Sequence, residues 1–275
     1  MVPGESLRAR TQPTRTTGRR NPNPDGTNTF MPTTPGPRVA VVTGATRGIG
    51  RACAERLTAD GHTVHGVGTT LSPPTTLPPG VRYHQADLGD PDDVDRLTAV
   101  LAALRPAILV NNAGINVKGG TTTFNDVDYD RLLDVNLRAP FVLIRAVLPG
   151  MVEAGWGRIV NVTSMWGSTL GNPADAAYCA SKTGLAGLTL SLAAEVARHG
   201  VLVNAVAPGF TLTDAAEAAY TPAELDAVAD TIPVGRLARP DEVAALVAWL
   251  CSGENTYLTG QEILIDGGLS RAARP

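Results

Sequence analysis

Along most of this sequence, short apolar runs rich in β-branched residues alternate with longer segments of helical periodicity. Strands that are apolar throughout are typical of a parallel sheet covered by helices on both faces. We therefore predict one α/β domain over residues 37–270, with a doubly wound parallel sheet of about seven strands. The predicted strands are 39–43, 63–67, 81–85, 108–111, 158–163, 202–207 and 262–265, and the predicted helices are 48–60, 92–104, 126–148, 178–198 and 241–250.

One connection departs from this alternation. Between residues 67 and 81, where a crossover helix is expected, lie Pro73, Pro74, Pro78 and Pro79. Parallel neighbours need a connection of about a dozen residues, which is usually helical. This connection is barely long enough, and we predict that it is irregular.

The two ends of the chain differ from the rest in composition. Residues 1–36 are rich in Pro, Thr, Gly, Asn and Arg and have almost no apolar side chains. Such a segment cannot bury enough surface to offset the entropy of ordering, so we predict a disordered tail there and a short C-terminal tail over 271–275. An organelle transit peptide is the alternative for the first segment, although its prolines and glycines oppose an amphipathic helix.

Charge and cysteine content exclude several classes of function. The net charge of −3 gives no basic surface of the kind that nucleic acid requires. No apolar run approaches the roughly 20 residues that span a bilayer, so no membrane partner is predicted. Cys53, Cys179 and Cys251 are scattered and lack the spacing of a disulfide framework or a zinc site, so we predict no metal and a cytoplasmic location.

A glycine-rich turn joins the first strand to the first helix, with the sequence TGATRGIG over residues 43–50. Glycines allow a tight turn and a close approach of the backbone to a pyrophosphate, and the helix N-terminus offers free N–H groups. An ordinary turn between strand and helix is the alternative. Its position in the first βα unit favours a dinucleotide site in a Rossmann-type fold.

The end of the second strand indicates which cofactor is bound. An NAD site usually has a carboxylate there that bonds the ribose 2′-hydroxyl, but this strand ends in Gly68, Thr69 and Thr70. Arg47 in the turn could meet a 2′-phosphate, and Thr69 offers a hydroxyl. We predict NADP (as NADPH) rather than NAD, with the alternative that Arg47 is simply exposed.

Tyr178 and Lys182 are four residues apart on a predicted helix and therefore share one face. A phenol has an ordinary pKa near 10, but a nearby ammonium stabilises the phenolate. Of the 23 lysines and arginines only Lys118 and Lys182 are lysines, which argues against an incidental pair. Ser164 follows a strand at the end where open α/β sheets bind ligands, and Asn136 is a weak helix former within a helical segment.

These residues together resemble the short-chain dehydrogenase/reductase family, from about Arg38 to Gly268. The resemblance is carried by motifs in the family's order: TGATRGIG, Asp87, Asn111 to Gly114 (NNAG), Asn136, Ser164, Tyr178 to Lys182 (YCASK) and Pro208-Gly209. Within the family the chain is most similar to the 3-oxoacyl-(acyl carrier protein) reductase type.

The resemblance implies a role for each matched residue. Tyr178 would protonate a ketone oxygen while NADPH delivers hydride, and Lys182 would hold the nicotinamide ribose and lower the tyrosine pKa. Ser164 would orient the carbonyl, and Asn136 would anchor a water in a proton relay. The cofactor contacts it implies, with those of the turn, are Gly44, Thr46, Arg47, Gly48, Ile49, Gly50, Thr69, Asp87, Leu88, Asn111, Ala113, Gly114, Tyr178, Lys182, Pro208, Gly209, Thr211 and Thr213.

The resemblance also implies a homotetramer, or a homodimer, built on the helices 126–148 and 178–198. Carrier-protein reductases tend to place basic residues where this chain has Glu153-Ala154-Gly155 and Ala194. Docking of an acidic carrier protein would be weakened, so we expect a free or CoA-bound small-molecule carbonyl substrate. Segments 116–124, 165–175 and 210–232 are expected to shape its pocket, the last as a mobile lid. An NAD-linked alcohol or sugar dehydrogenase and a non-catalytic dinucleotide-binding regulator are the alternatives.

Overall fold

Seven parallel strands form one sheet in this computed structural model, which describes residues 36–272. The strands are β1 (Val39–Thr43), β2 (Thr63–Gly68), β3 (Arg82–Gln85), β4 (Ile108–Asn111), β5 (Gly157–Val162), β6 (Val201–Pro208) and β7 (Glu262–Ile265). Their order across the sheet is β3-β2-β1-β4-β5-β6-β7. The strand order reverses between β1 and β4, and at such a point the carboxyl ends of the strands leave a crevice for a ligand.

Helices cover both faces of this sheet, as predicted. They are α1 (Gly48–Ala59), α2 (Pro91–Leu104), α3 (Asp126–Leu133), α4 (Ala139–Ala154), α5 (Ala176–Val196), α6 (Asp214–Ala219), α7 (Pro222–Thr231) and α8 (Pro240–Cys251). The described residues belong to one compact unit. Both predicted tails lie outside the described residues, apart from residue 36 and residues 271–272.

Two apolar layers hold the helices to the sheet. On one face, Val41, Leu109 and Val203 pack in a cluster with side chains of α2, α4 and α5. On the other face, Val42 and Val110 pack with side chains of α1 and α8. Successive strand residues point to opposite faces, so strands buried on both sides are apolar at every position. This is the physical reason that the continuous apolar runs identified the sheet correctly.

The central helical segment is longer than predicted. The prediction that it ends at residue 148 is wrong, because α4 continues through Pro149 to Ala154 and ends at Gly155 in the left-handed region (φ 64°). Proline removes one backbone donor from a helix interior, but Val147 and Met151 on either side of it are buried in the core and hold the helix in place.

The same segment has the length of a membrane-spanning helix. Within the described residues, Asp126–Ala154 alone is long and apolar enough to cross a membrane, by length and composition only. Half of its most apolar window is buried within the protein, which is typical of a core helix that packs on a sheet.

The proline-rich connection between β2 and β3 has no helix, as expected. It is held to the glycine-rich turn by the Thr76 hydroxyl, which donates to the Thr46 carbonyl over 2.8 Å. The segment 210–232, expected as a lid, contains the two short helices α6 and α7. Their N-caps, Thr213 and Thr221, both accept hydrogen bonds from backbone N–H groups.

Candidate active site

The turn between β1 and α1 has the geometry of an anion site. Gly44 and Gly48 adopt left-handed backbone angles (φ 66° and 53°), which non-glycine residues adopt only at a cost. A side chain at Gly50 would collide with the Gly44 carbonyl and the Asn112 amide, so only glycine lets α1 begin so close to β1. The N-cap residue Arg47 makes no side-chain cap hydrogen bond, so the first N–H groups of α1 are available to a phosphate.

A cleft of about 410 Å³ opens above this turn, at the carboxyl ends of β1, β2 and β4. Predicted cofactor residues that line it are Gly44, Thr46, Arg47, Gly48, Ile49, Thr69, Asp87, Leu88, Ala113, Gly114 and Thr213. Lining residues that the sequence analysis missed are Val67, Gly68, Thr70, Ala86, Ile115, Arg131, Val135, Asp214 and Ala215. The volume lies within the range of small-molecule sites.

Of the two asparagines of the NNAG motif, Asn112 lines the cleft and Asn111, an expected cofactor contact, does not. Asn111 points into the core, where its amide donates to the Asn161 side chain over 2.8 Å. Asn112 lines the cleft, and its amide donates to the Thr43 carbonyl over 2.9 Å. The Thr43 hydroxyl in turn accepts from the N–H groups of Asn112 and Ala113, both over 3.0 Å. These bonds tie the ends of β1 and β4 together under the cleft.

The end of the cleft near β2 carries no carboxylate from that strand. Arg47, Thr69 and Thr70 are all exposed there, and Arg47 forms no ion pair with any residue in the described range 36–272. A free guanidinium beside two hydroxyls is suited to an anion rather than to a neutral ribose hydroxyl.

Tyr178 and Lys182 lie on the same side of α5. The Lys182 Nζ is 5.8 Å from the centre of the Tyr178 ring and donates to the Val162 carbonyl over 2.9 Å. Burial lowers the pKa of Lys182 to about 8. Burial also raises the pKa of Tyr178, so the expected lowering by Lys182 is not found, and only interaction with the Ser164 hydroxyl acts against that rise. The phenol is therefore a proton donor at neutral pH, beside an ammonium that is still mostly charged.

Gly114 connects the cleft to this pair. It lines the cleft, and a methyl group built on it would lie 3.2 Å from the Lys182 Nζ and 3.2 Å from the Asn136 Oδ1. Neither Tyr178 nor Lys182 lines the main cleft, so the two parts of the candidate site meet at the backbone of Gly114. A side chain there would crowd the ammonium.

Asn136 has a local reason for its place in a helix. It lies in a π-helical turn, Asp134–Arg138, which joins α3 to α4. Its side chain donates to the Ile115 carbonyl and accepts from the Ile115 N–H, each over 2.9 Å, and it also donates to the Ser181 hydroxyl. Turns of this kind frequently occur at functional sites. Here the turn directs the amide at the chain segment that follows Gly114.

The remaining predicted residues lie at the carboxyl ends of β5 and β6. Ser164 follows β5, and its hydroxyl accepts from the Trp166 N–H over 3.1 Å. The Pro208 carbonyl accepts from the Met165 N–H over 3.0 Å, which ties this segment to the end of β6. A methyl group on Gly209 would lie 2.7 Å from the Asp266 Cα, so glycine is needed there for packing. Pro208, Gly209 and Thr211 do not line the main cleft.

Comparison with known proteins gives consistent matches. Residues 44–270 match the family model described as enoyl-(acyl carrier protein) reductase, which is one of the short-chain dehydrogenase/reductase models. Nodulation protein G of Rhizobium sp. (strain N33) is 41% identical over 239 residues, which are 85% of this chain and 97% of the relative.

A second relative, 3-oxoacyl-[acyl-carrier-protein] reductase FabG of Vibrio cholerae, is 39% identical, with 84% of this chain and 97% of the relative covered. Among solved structures, gluconate 5-dehydrogenase of Burkholderia cenocepacia J2315 in complex with NADP and tartrate is 30% identical. It superimposes with a TM-score of 0.79 over 87% of this chain and 98% of its own. With the fold and the arranged residues, these matches show that the chain belongs to the short-chain dehydrogenase/reductase family, is an NAD(P)-dependent oxidoreductase and is similar to relatives named 3-oxoacyl-[acyl-carrier-protein] reductase.

Proposed function

We propose that this protein is an NADPH-dependent carbonyl reductase that converts a ketone into a secondary alcohol. The observation that carries the proposal is the meeting of Gly114, Lys182 and Asn136 between the cleft above the glycine-rich turn and Tyr178. An NADPH bound in that cleft would supply a hydride to the carbonyl carbon. Binding of the cofactor, orientation of the carbonyl and transfer of the proton would be carried out by side chains and backbone groups of this chain.

Binding would use the glycine-rich turn and the end of β2. The free N–H groups of α1 would hold the pyrophosphate, and Arg47 with Thr69 would hold a 2′-phosphate, because no carboxylate occupies that end of the cleft. Asp87 and Leu88 would contact the adenine at the far wall. This arrangement supports NADP over NAD.

The proton would come from Tyr178. Its raised pKa keeps the phenol protonated at neutral pH, so the hydroxyl can donate to the ketone oxygen as the carbon receives hydride. Lys182, beside the ring, would stabilise the phenolate that remains, and Ser164 would hold the carbonyl oxygen in place. Asn136 would fix the Ile115 backbone and, through a water, take part in returning a proton to the tyrosine.

Binding measurements test the cofactor assignment without a known substrate. Titration of the full-length protein with NADPH and with NADH, followed by dihydronicotinamide fluorescence, should give a lower Kd for NADPH. An Arg47→Gln variant should lose most of that preference. A clear preference of the unaltered protein for NADH would overturn the assignment.

The substrate class is tested by turnover. We propose a free or CoA-bound carbonyl compound as the substrate. Where carrier-protein reductases tend to have basic residues, this chain has Glu153, which is paired with Arg105 and would weaken docking of an acidic carrier protein. A panel of ketones and 3-oxoacyl thioesters with NADPH would identify the class. Turnover of an acetoacetyl carrier protein as fast as that of the free thioester would contradict this preference.

A second candidate is an alcohol or sugar dehydrogenase that works in the oxidative direction. The similarity to a gluconate 5-dehydrogenase favours it. Comparing oxidation of sugar acids and secondary alcohols, with NADP and with NAD, against ketone reduction would discriminate the two. A regulator without turnover is the remaining alternative, and an unaltered cellular role for a Tyr178→Phe variant would favour it.

A further inference from the structure

Arg131 and Asp87 form an ion pair across the wall of the cleft, and both line it. The Arg131 Nη2 lies 2.9 Å from the Asp87 Oδ2 and 3.2 Å from the Oδ1. The Gly89 N–H donates to the same Oδ1 over 2.9 Å. The carboxylate is thus held from two sides by donors on α3 and on its own loop, and its orientation in the cleft is fixed.

The guanidinium fits only because residue 89 has no side chain. A methyl group built on Gly89 would collide with the Arg131 Nη1 and would lie 3.1 Å from its Cζ and 3.2 Å from the Val135 side chain. The guanidinium is therefore packed between Gly89 and Val135. Its Nη1 and Nε make no hydrogen bond to any residue in the described part of the chain.

Stability alone does not account for this pair. The two side chains are 47% and 33% exposed, and exposed ion pairs contribute little to folding. The pair does change the chemistry of the carboxylate. Partial burial would raise the pKa of Asp87, but the Gly89 N–H and the Arg131 guanidinium outweigh it and lower that pKa. The carboxylate would be ionised at neutral pH even at its ordinary pKa, so the contribution of the pair is to fix the orientation of this acceptor.

A fixed acceptor at this wall discriminates between purines. A 6-amino group donates to a carboxylate, whereas a 6-oxo group presents lone pairs that repel it. We propose that Arg131 is a specificity-determining residue: by fixing the Asp87 carboxylate, it makes the site select an adenine dinucleotide over its 6-oxo analogue. This inference rests on the proposed cofactor function.

The test compares binding of NADPH with that of reduced nicotinamide hypoxanthine dinucleotide phosphate, by dihydronicotinamide fluorescence with the full-length protein. The unaltered protein should bind NADPH about tenfold more tightly, as expected for one charge-assisted hydrogen bond. In Arg131→Gln the preference should fall to about threefold or less, because the carboxylate loses its second anchor. Arg131→Lys keeps the charge without the planar fork and should give an intermediate preference.

Two further variants separate positioning from a general effect on folding. Gly89→Ala should displace the guanidinium while keeping both charges, and should lower the preference as Arg131→Gln does. Arg56→Gln is the matched control: Arg56 is exposed, lies outside the cleft and forms a surface ion pair with Asp60 at the end of α1. It should leave both affinities unchanged, and thermal melting of every variant should show a folded protein.

Three results would overturn the inference, in distinguishable ways. An unaltered preference in both Arg131→Gln and Gly89→Ala removes the role of Arg131. Equal affinity of the unaltered protein for the two nucleotides removes purine selection at this wall while leaving the cofactor function intact. Failure of the unaltered protein to bind either nucleotide refutes the proposed function and the inference together. If Arg131→Gln does not fold, Arg131→Lys and Gly89→Ala decide the question.

Discussion

Lys182 brings an ammonium into a position that is only 5% exposed. An arginine there would remain charged at every accessible pH, whereas the lysine loses part of its proton affinity on burial. Its amine has one backbone acceptor, Val162, and lies beside the Tyr178 ring. The amine also lies near the Cα of Gly114, and we propose that the hydroxyls of a bound ribose satisfy its remaining hydrogen-bonding capacity.

This burial predicts a specific dependence of stability on pH. The pKa of Lys182 is lowered from 10.5 to about 8 on folding. Between these values the unfolded chain binds more protons at this residue than the folded one, so the contribution of Lys182 to stability rises with pH. From pH 7 to 9.5 that gain is roughly 2 kcal/mol.

Urea unfolding of the unaltered protein and of Lys182→Met at both pH values measures this gain. Lys182→Met lacks the titrating amine. As pH rises, the free energy of unfolding of the unaltered protein should therefore increase relative to that of Lys182→Met by about this amount. A difference between the two proteins that is constant with pH would contradict the burial of a titrating amine. Lys118→Met, at an exposed lysine, is the control and should show no such change.

Tyr178→Phe removes the proposed proton donor and little else. We expect kcat to fall about 10³-fold, within the range for loss of general acid catalysis, with a much smaller rise in the Kd of NADPH, because the hydroxyl is one of many expected cofactor contacts. Initial rates on the best ketone of the panel, with fluorescence titration of NADPH, measure both. A residual kcat above about a tenth of the original value would mean that another group supplies the proton.

At the scale of elements, the sequence was most informative where local chemistry determines conformation. The strands were predicted because both faces of the sheet are buried, and the β1–α1 turn because Gly44 and Gly48 need left-handed angles. The Tyr178 and Lys182 pair was predicted because helical spacing places both on one face. In these cases the local conformation is determined by a few consecutive residues, so it can be predicted from the sequence.

The sequence-based predictions failed where contacts between segments far apart in the chain determine the structure. The helix passes through Pro149 because tertiary packing on both sides of it outweighs one lost hydrogen bond. Asn112, not Asn111, lines the cleft because the direction of each side chain at the end of β4 depends on the strand register. Arg131 and Val135 lie one helical turn apart, but nothing in the sequence indicates that this face of α3 is directed toward β3.

The π-helical turn between α3 and α4 predicts a stability effect at Asn136. Its fully buried side chain satisfies both the N–H and the carbonyl of Ile115. Asn136→Ala leaves these groups without partners, and we expect a loss of about 2–3 kcal/mol in the free energy of unfolding. Urea denaturation measures it, and Asn136→Asp, which places a buried carboxylate oxygen against the Ile115 carbonyl, should lose at least as much as Asn136→Ala.

At the scale of the whole molecule, the outer faces of α4 and α5 expose apolar side chains. Phe141 and Leu190 are 50% and 63% exposed. A groove of about 590 Å³ beside Phe141 is lined by Leu133, Leu137 and Leu188, with Asp130, Asp134 and Arg138 at its polar part. Contiguous exposed apolar surface of this kind marks an interaction site, and the predicted homotetramer or homodimer would use the same helices.

Introducing a charge into this groove tests the assembly. If Phe141 is buried in a subunit interface, Phe141→Asp places a carboxylate in an apolar environment and weakens that interface. The variant should therefore form a smaller species, measured by light scattering after size-exclusion chromatography. Leu71→Asp is the control, because Leu71 is 91% exposed in the proline-rich connection, away from α3, α4 and α5. That change should leave the mass unaltered. If Phe141→Asp has the same mass as the unaltered protein, these helices do not form the main interface, and the exposed groove needs another partner.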